Sequence, residues 1–534
     1  MEFDWLLDLT VIASYFVLIL WIGLRKGRDE STFEDFALGG RRIPWWAVLG
    51  SIIAAETSAG TFIGTPGEGY SLRNYTFLQL VLGTIIARVI IGFTFLKPFY
   101  RYNVYSIYEF LLIRFGTRTR NMGSGLFLLT RVLASGTRLY ISAVILVLAY
   151  KMFLNVGVQL APGRELMIYV GAITILTAST TLYTALGGIK AVIWTDMIQA
   201  TIMLGSGLIA IFVLYHGIPG GWSTLRSHLN GFRDVTLFES GIISGRGVWT
   251  NVKSILGSDY TLFAALLGST FTTLATHGTD QDMVQRMLTA PDPRRSRRAL
   301  LLSGVMDIPI VLIFLTIGIL LYVFYQIHPD PLLPTKTNEV FCHFILSQIP
   351  AGLRGLMIAG IFATTMGSLS AALNALATSF VRDWYHPFIR PGAGERDTLR
   401  CARIATVVFS ALMIGVASCT AYLVILSPKS RIIPIALGIF GYTYGSLLGV
   451  FMVGMFTRAR GSDRGNVFAM IAGFLVVAVL SGLPNDLARF FNGARCYPQP
   501  EWLPLISFPW RVFFGAVTTF GVATAFKTPL RVEA

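Results

Sequence analysis

Hydrophobic and polar positions along this chain are distributed on the scale of whole segments, with long apolar runs separated by shorter polar and often basic stretches. Each apolar run has about 20 residues or more, the length that a helix needs to cross the hydrocarbon core of a membrane. The predicted spans are residues 5–24, 46–71, 76–100, 121–153, 165–186, 190–215, 256–279, 300–326, 350–381, 402–426, 432–457, 465–484 and 507–526. The pattern predicts an all-α integral membrane protein with about 13 transmembrane helices.

The second of these spans is polar and rich in glycine in its middle. Glu56, Thr57 and Ser58 lie about halfway along it. Unpaired backbone groups at membrane depth are tolerated only where they are buried in protein or line a cavity, and a carboxylate there is usually functional. Secondary transporters use helices broken near the middle of the membrane to present carbonyls to an ion and a helix end to a solute. The segment therefore predicts such a break.

A second interrupted span follows five spans later, at residues 256–279, where glycines, threonines and His277 interrupt the apolar run. Two interrupted spans at matching positions in successive groups of five predict a pair of inverted repeats. The predicted divisions are an N-terminal extra helix with a cytoplasmic loop (1–44), a first repeat (45–215), an extracellular loop (216–255), a second repeat (256–457) and two C-terminal extra helices (458–534).

The composition indicates a membrane protein, and this affects how its net positive charge is interpreted. The chain is 54% hydrophobic and 13% charged, whereas about a quarter of a soluble domain is charged. A net charge of +15 suggests nucleic acid in a soluble protein, but here it is expected in cytoplasmic loops, so no nucleic-acid partner is predicted. The basic loops place the N-terminus outside and the C-terminus inside the plasma membrane. The four cysteines have no paired or metal-ligand spacing, which favours a structural role.

Several motifs carry a resemblance to a known family, in the right order between about residues 5 and 460. They are DLTVIASYFVLILWIG, ALGGRRIPWW, SAGTFIGTPGEGY, YTALGGIKAVIWTDMIQ, TDQDMVQRML, MGSLSAALNALATSFVRDWY and YTYGSLLGVFMVGMF. The chain resembles the sodium:solute symporter family. The resemblance implies a five-plus-five inverted-repeat core with broken first and sixth core helices, extra helices at both ends, and alternating access driven by Na⁺ as the coupling ion.

The resemblance also implies a Na⁺ site between spans 2 and 9. Matched to the family's motifs, the ligands are the carbonyls of Ala54, Thr57 and Thr364 and the hydroxyl of Ser368. Thr364 and Ser368 are four residues apart and share a helix face. The chain departs from the family at Gly367, where a hydroxyl residue is usual.

Three interpretations of this departure remain open. In the first, Thr57, Thr365 or a water supplies the missing oxygen to Na⁺. In the second, the coupling ion is a proton carried by Glu56 or Asp196. In the third, coupling is lost and the protein is a facilitator or a solute sensor.

The remaining candidate residues follow from the same motifs. Asp196 and Ser370 are expected on the ion pathway, as an acid and a serine are in some family members. The predicted solute-binding residues are Glu56, Ser58, Thr61, Gln79, His277 and Tyr442. Thr61 and Leu80 lie where sugar-transporting relatives carry polar sugar contacts, which argues against a hexose.

Four charges in the predicted spans, Arg88, Arg131, Arg138 and Asp307, need partners or an interior position because isolated charges are costly there. The sequence alone does not assign the pairs.

The sequence thus predicts a secondary active transporter that imports a small organic solute with Na⁺ through a lipid bilayer. One chain contains both repeats, so a monomer is a sufficient functional unit. A proton-coupled or uncoupled transporter and a non-transporting sensor are the alternatives. An enzyme is not expected, because the sequence has no HExxH, GxSxG or phosphate-loop motif.

Overall fold

The computed structural model describes residues 2–28, 30–153, 161–230, 235–426, 438–492 and 505–528. Throughout these residues the regular structure is helical, and the single β-type contact is an isolated bridge between Arg460 and Lys527. The predicted all-α class is confirmed. Cys496 and the predicted start of one span, residues 432–437, lie outside the described residues.

Twenty-one α-helices are described, numbered here in chain order. They are α1 Glu2–Lys26, α2 Phe33–Leu38, α3 Trp45–Glu56, α4 Ala59–Leu72, α5 Leu80–Thr94, α6 Leu96–Arg101, α7 Tyr108–Arg114, α8 Thr117–Phe153, α9 Pro162–His216, α10 Trp222–His228, α11 Val248–Gly257, α12 Thr270–Gly278, α13 Gln281–Leu288, α14 Pro293–Ile327, α15 Thr337–Gln348, α16 Leu353–Phe380, α17 Glu395–Leu426, α18 Ile439–Phe456, α19 Asp463–Leu480, α20 Leu483–Asn492 and α21 Phe508–Thr524.

Nine of the described helices are long and apolar enough to cross a membrane, and α3 with α4 makes a tenth span if the bent pair is counted as one. Helix α9 covers two predicted spans and is interrupted at Gly188, whose φ of 47° is outside the right-handed helical region. The predicted spans 256–279 and 507–526 contain the shorter helices α12 and α21. The count of 13 spans stays a prediction.

The first interrupted span breaks at the polar residues in its middle. Helix α3 ends at Glu56 and α4 begins at Ala59, with the two axes bent by 63°. Thr57 and Ser58 between them have non-helical backbone angles, with ψ values of 85° and 167°. The Thr57 N–H donates to the Ile53 carbonyl at 3.1 Å, whereas the Ser58 N–H donates to the Glu56 carbonyl at 3.0 Å. The Ala54 carbonyl, which would accept from the Ser58 N–H in a continuous helix, is therefore released from the helical ladder.

The second interrupted span has a different geometry. Residues Ala264–Ser269 form a π-helical turn, and α12 continues to Gly278. Thr279 then leaves the helical conformation, and Asp280 caps α13 by accepting a hydrogen bond from the Asp282 backbone N–H at 2.9 Å. The two breaks lie at the predicted places, while their relation by an inverted repeat stays a prediction.

Helix α16 is the most enclosed of the candidate spans, with 89% of its most apolar stretch buried. Small residues let its neighbours approach closely. A Cβ added at Gly360 would lie 2.6 Å from the Ser206 hydroxyl oxygen of α9, and one at Gly367 would lie 3.5 Å from the Ala54 carbonyl oxygen of α3. The packing therefore brings α16 against the first break.

Candidate functional site: a charged cavity beside a polar helix break

A cavity of about 580 Å³ lies between the first break and helices α8, α12, α16, α18 and α21. Its wall contains seven residues with carboxylate, guanidinium or imidazole side chains. They are Glu56, Arg131, Arg138, His277, Asp280, Asp282 and Arg511. A volume of this size suits a small organic molecule.

Glu56 is part of an ion-pair cluster that ties the first break to three other helices. Its carboxylate pairs with Arg88 of α5 and with His277 of α12. Arg88 is almost fully buried and also pairs with Asp307 of α14 at 2.9 Å. Glu56 therefore combines a structural role with a position on the cavity wall.

A second cluster surrounds the other break. Arg131 of α8 pairs with Asp282 and, at 3.4 Å, with Asp280. Arg286 of α13 pairs with the same Asp282 and with Asp196 of α9 at 3.0 Å. Two arginines and three carboxylates thus form one continuous network, and all five side chains are buried.

Arg138 and Arg511 face the same cavity without an acidic partner. No described carboxylate lies within 4 Å of either guanidinium. Arg138 stacks over the Phe440 ring at 5.0 Å, and Arg511 stacks over Tyr442 at 4.9 Å and donates a hydrogen bond to its hydroxyl at 3.2 Å. Cations at membrane depth that form no direct ion pair with a carboxylate keep donors for an anionic ligand.

A second, much smaller cavity of about 10 Å³ lies beside the first break, large enough for about one water-sized particle. Ser58, Ser135, Ser142, Thr365 and Ser368 supply hydroxyl groups to its wall. The Thr365 and Ser368 hydroxyls donate to carbonyls of their own helix, at 2.9 and 3.1 Å, so their oxygen lone pairs stay available to a cation. Ser368 and Arg138 also line the large cavity, which joins the two spaces.

The predicted Na⁺ ligands lie around this region. Ala54 and Thr57 are buried at the end of α3 and in the break, and Thr364 is buried on α16. The Thr364 hydroxyl donates to the Ile361 carbonyl at 2.8 Å, and the role of the Thr364 carbonyl as a Na⁺ ligand stays a prediction.

The unusual Gly367 has a local reason in the packing. A Cβ at this position would lie 2.9 Å from the Gln199 side-chain oxygen and 3.4 Å from Oδ1 of Asp196. A serine would therefore require Gln199 to move.

Asp196, predicted on the ion pathway, is fully buried and already paired. Its Oδ2 accepts hydrogen bonds from the Ser51 hydroxyl at 2.6 Å and from Arg286 at 3.0 Å, whereas its Oδ1 has no hydrogen-bond partner. Ser370 donates to the Gly367 carbonyl at 3.0 Å. Both residues lie on the α9–α16 contact, next to Gly367.

The six predicted solute-binding residues are divided by the structure. Glu56 and His277 line the large cavity and Ser58 lines the small one, whereas Thr61 lines neither. Gln79 also lies outside both cavities.

The polar groups of Gln79 are used in local packing. Its side chain donates to the carbonyls of Thr76 and Tyr260 and accepts from the Glu239 N–H. Tyr442 faces a separate apolar groove between helices, and only its hydroxyl reaches the cavity region, through Arg511.

The cavity-wall residues that sequence reasoning missed include Asp280, Asp282, Phe440 and Arg511. The motif TDQDMVQRML contained a signal, since it places two aspartates and an arginine within seven residues of a break. Arg511 had no comparable signal, because it lies alone in the last predicted span.

A broken span beside a cavity with charged walls is typical of secondary transporters, and comparison with known proteins gives the family. The profile of the sodium:solute symporter family matches residues 36–473. The chain belongs to the sodium:solute symporter family. It is accordingly a multi-pass membrane transporter that couples solute movement to Na⁺, and not an enzyme.

Curated relatives agree over most of the chain. The chain is 28% identical over 498 residues to the sodium/sialic acid symporter SiaT of Proteus mirabilis, covering 91% of this chain and 92% of that protein. It is 30% identical over 492 residues to the sodium/sialic acid symporter NanT of Aliivibrio fischeri, covering 91% and 90%. It is 29% identical over 519 residues to human sodium-coupled monocarboxylate transporter 1, covering 93% and 75%.

A solved structure shares the fold. It is a Na⁺-coupled sialic acid symporter in a substrate-bound, outward-open state, which matches with a TM-score of 0.78 at 24% identity and covers 97% of both chains.

Proposed function

We propose that this symporter imports a small organic anion together with Na⁺ by alternating access. The observation that carries the proposal is the Arg138 guanidinium, which faces the large cavity and has no carboxylate within 4 Å among the described residues. Asp280 and Asp282 act on it only from a longer distance and are paired with Arg131. A carboxylate of the solute would accept charge-assisted hydrogen bonds from it. The similarity to symporters named for sialic acid and monocarboxylates is consistent with such a solute.

The Na⁺ ion is proposed to lie beside the first break. Carbonyls of Ala54, Thr57 and Thr364 and the hydroxyl of Ser368 are its ligands, and the Thr365 hydroxyl supplies the oxygen that Gly367 lacks. Thr365 and Ser368 line the same small cavity, which supports this choice among the three interpretations. Oxygen ligands without charge are appropriate for a monovalent hard cation.

Coupling follows from residues shared by the two cavities. Ser368 would contact the Na⁺ ion and also lines the large cavity. Bound Na⁺ would therefore order part of the solute site, and bound solute would order part of the Na⁺ site. Asp196 and Ser370 are proposed as the ion's route toward the cytoplasm, with Arg286 restraining the Asp196 carboxylate.

The architecture proposed around this site is the one the sequence predicts. It has thirteen spans, two inverted repeats at 45–215 and 256–457, an external N-terminus and a cytoplasmic C-terminus in the plasma membrane. Each chain contains both cavities, so a monomer is proposed as the functional unit.

Proton coupling is a second candidate, and one cluster favours it. Glu56, Asp307, Arg88 and His277 form a connected group of two acids, one arginine and one histidine. With a neutral histidine this group has one uncompensated negative charge, which a proton would neutralise.

The test is uptake into vesicles that contain the purified protein, with labelled sialic acid and lactate as probes. Accumulation driven by an inward Na⁺ gradient, lost in choline and in Ser368→Ala, is expected. Ser347→Ala is the matched control, since Ser347 is exposed on α15. Accumulation in choline driven by a proton gradient would favour the second candidate, and uptake of none of sialic acid, lactate and succinate under any gradient would contradict the proposal.

A further inference from the structure

Arg511 comes from a part of the chain that neither the family match nor the motifs include. The match ends at residue 473, and the sequence predicts residues 458–534 to be extra helices outside the repeats. Yet Phe508, Arg511 and Val512 at the beginning of α21 contribute to the wall of the large cavity. The last helix therefore takes part in the solute site.

Glycines on α18 make this contribution possible. A Cβ added at Gly445 would lie 2.7 Å from the Val512 carbonyl oxygen, so the backbones of α18 and α21 touch. One turn earlier, a Cβ added at Gly441 would lie 3.1 Å from Cδ of Arg511. The aliphatic part of the Arg511 side chain thus packs on Gly441 of α18, where no side chain blocks it, and the guanidinium reaches the cavity.

The Arg511 guanidinium is oriented but not saturated. Its Nη1 donates to the Tyr442 hydroxyl, and its Nε is buried without a hydrogen-bond partner. Asp259 is the acidic group within its electrostatic reach, but that carboxylate is hydrogen-bonded to Ser507 and Phe508 and forms no ion pair with Arg511. Its Nη2 forms no hydrogen bond with the described residues, so the N–H groups of Nη2 are the donors left for a ligand in the cavity.

Arg138 and Arg511 approach the same turn of α18 from two sides. Arg138 stacks on Phe440, and Arg511 passes Gly441 and stacks on Tyr442. The other arginine of the cavity wall, Arg131, is already paired with two carboxylates. The wall therefore has two separate guanidiniums without acidic partners.

We infer that Arg511 is a second anion anchor, and that the solute is an organic dianion of the dicarboxylate class with one acidic group at Arg138 and the other at Arg511. The inference rests on the proposed function, in which Arg138 binds a carboxylate. A monoanion would leave one guanidinium without a partner, whereas a dicarboxylate satisfies both. Arg511 is then a specificity-determining residue that the last helix adds to the family's core.

The test compares succinate with lactate as ligands of the purified full-length protein in NaCl, with the thermal unfolding temperature as readout. In the wild type, succinate is expected to bind at least about tenfold more tightly than lactate, the equivalent of one additional hydrogen-bonded charge. Arg511→Gln should reduce succinate affinity to that of lactate and change lactate affinity less than about twofold. Arg226→Gln, on the exposed helix α10, is the matched control and should change neither affinity.

The outcomes separate the two proposals. If lactate and succinate bind equally in the wild type, or Arg511→Gln preserves the preference for succinate, the second anchor is wrong while the anion transporter stands. If neither lactate, succinate nor sialic acid stabilises the protein, the proposed function fails. Inorganic phosphate binding in place of succinate would overturn the dicarboxylate class. If Arg511→Gln does not fold, Arg511→Lys replaces it as the variant, because it keeps the charge. The preference of the wild type for succinate over lactate then still tests the second anchor.

Discussion

The wall of the large cavity contains two kinds of arginine that contrast in their surroundings. Arg131 contacts two carboxylates and belongs to a network of five buried charges that includes Arg286 and Asp196. Arg138, seven residues and about two helical turns further along α8, lies over the same Phe440 ring as Arg131 but forms no ion pair with a described carboxylate. One helix thus presents to the same space one guanidinium that is ion-paired and one that forms no ion pair with a described carboxylate.

The difference separates structural from ligand-binding charge. A paired arginine has its charge compensated within the protein and fixes the helices that supply its partners. An arginine without an acidic partner keeps donors for a ligand and is costly until that ligand arrives. The comparison predicts that removing the first kind costs stability, whereas removing the second costs binding.

The largest effect is expected for Asp282→Asn, which takes from Arg131 and Arg286 the carboxylate they share. Leaving buried charges without compensation should lower the free energy of unfolding by about 3–5 kcal/mol. Denaturant unfolding in detergent measures it. The control is Asp397→Asn, whose exposed pair with Arg390 should contribute no more than about 1 kcal/mol. Equal losses in the two variants would remove the distinction.

Arg138→Gln should reduce anion binding strongly and stability only modestly. Its stacking on Phe440 limits the loss of stability to about 2 kcal/mol, whereas binding of lactate and succinate should become undetectable. Thermal unfolding with and without each anion gives both quantities from the same samples. Retained anion binding in a folded variant would show that Arg138 is not the anchor.

A substitution in the small cavity beside the first break should have a smaller effect, limited to Na⁺ binding. Thr365→Val removes a hydroxyl from the small cavity with little change of shape, so stabilisation by Na⁺ should need several-fold more NaCl. Thr364→Val should leave the Na⁺ requirement unchanged, because Thr364 is proposed to bind through its carbonyl. If the two variants respond equally to NaCl in thermal unfolding, the Thr365 hydroxyl is not the missing ligand.

Glu30, which lies outside the membrane spans, is a buried acid and tests whether a buried charge without an ion pair among the described residues affects stability. Burial against the α9 break raises the pKa of its carboxyl to about 9, with Lys190 acting in the opposite direction. Because the folded pKa lies above the unfolded value of 4.5, stability should fall as the pH rises from about 5 to 9. Glu30→Gln should remove this part of the pH dependence of thermal unfolding, and an unchanged profile would contradict the assignment.

The sequence predicts the parts of this molecule that depend on local pattern. Long apolar runs predict the helices, and the polar residues Glu56, Thr57 and Ser58 predict the first break, because neither feature needs knowledge of distant partners. The motifs give the family, which the profile match confirms.

What the sequence does not predict depends on contacts between distant residues. Arg131 and Asp282 are 151 positions apart, and Arg511 reaches the cavity only because α21 packs on the glycines of α18. The sequence predicts that Gln79 binds solute, but its side-chain amide is hydrogen-bonded to the backbone of Tyr260 and Glu239.

The central claim is that Na⁺ and an organic anion bind cooperatively in adjoining cavities. The most direct measurement is the affinity of the purified protein for succinate and for lactate, determined by thermal unfolding in NaCl and again in choline chloride at equal chloride concentration. Affinities at least about fivefold higher in NaCl, with the difference abolished in Ser368→Ala, are predicted. Affinities that are equal in the two salts would contradict the account.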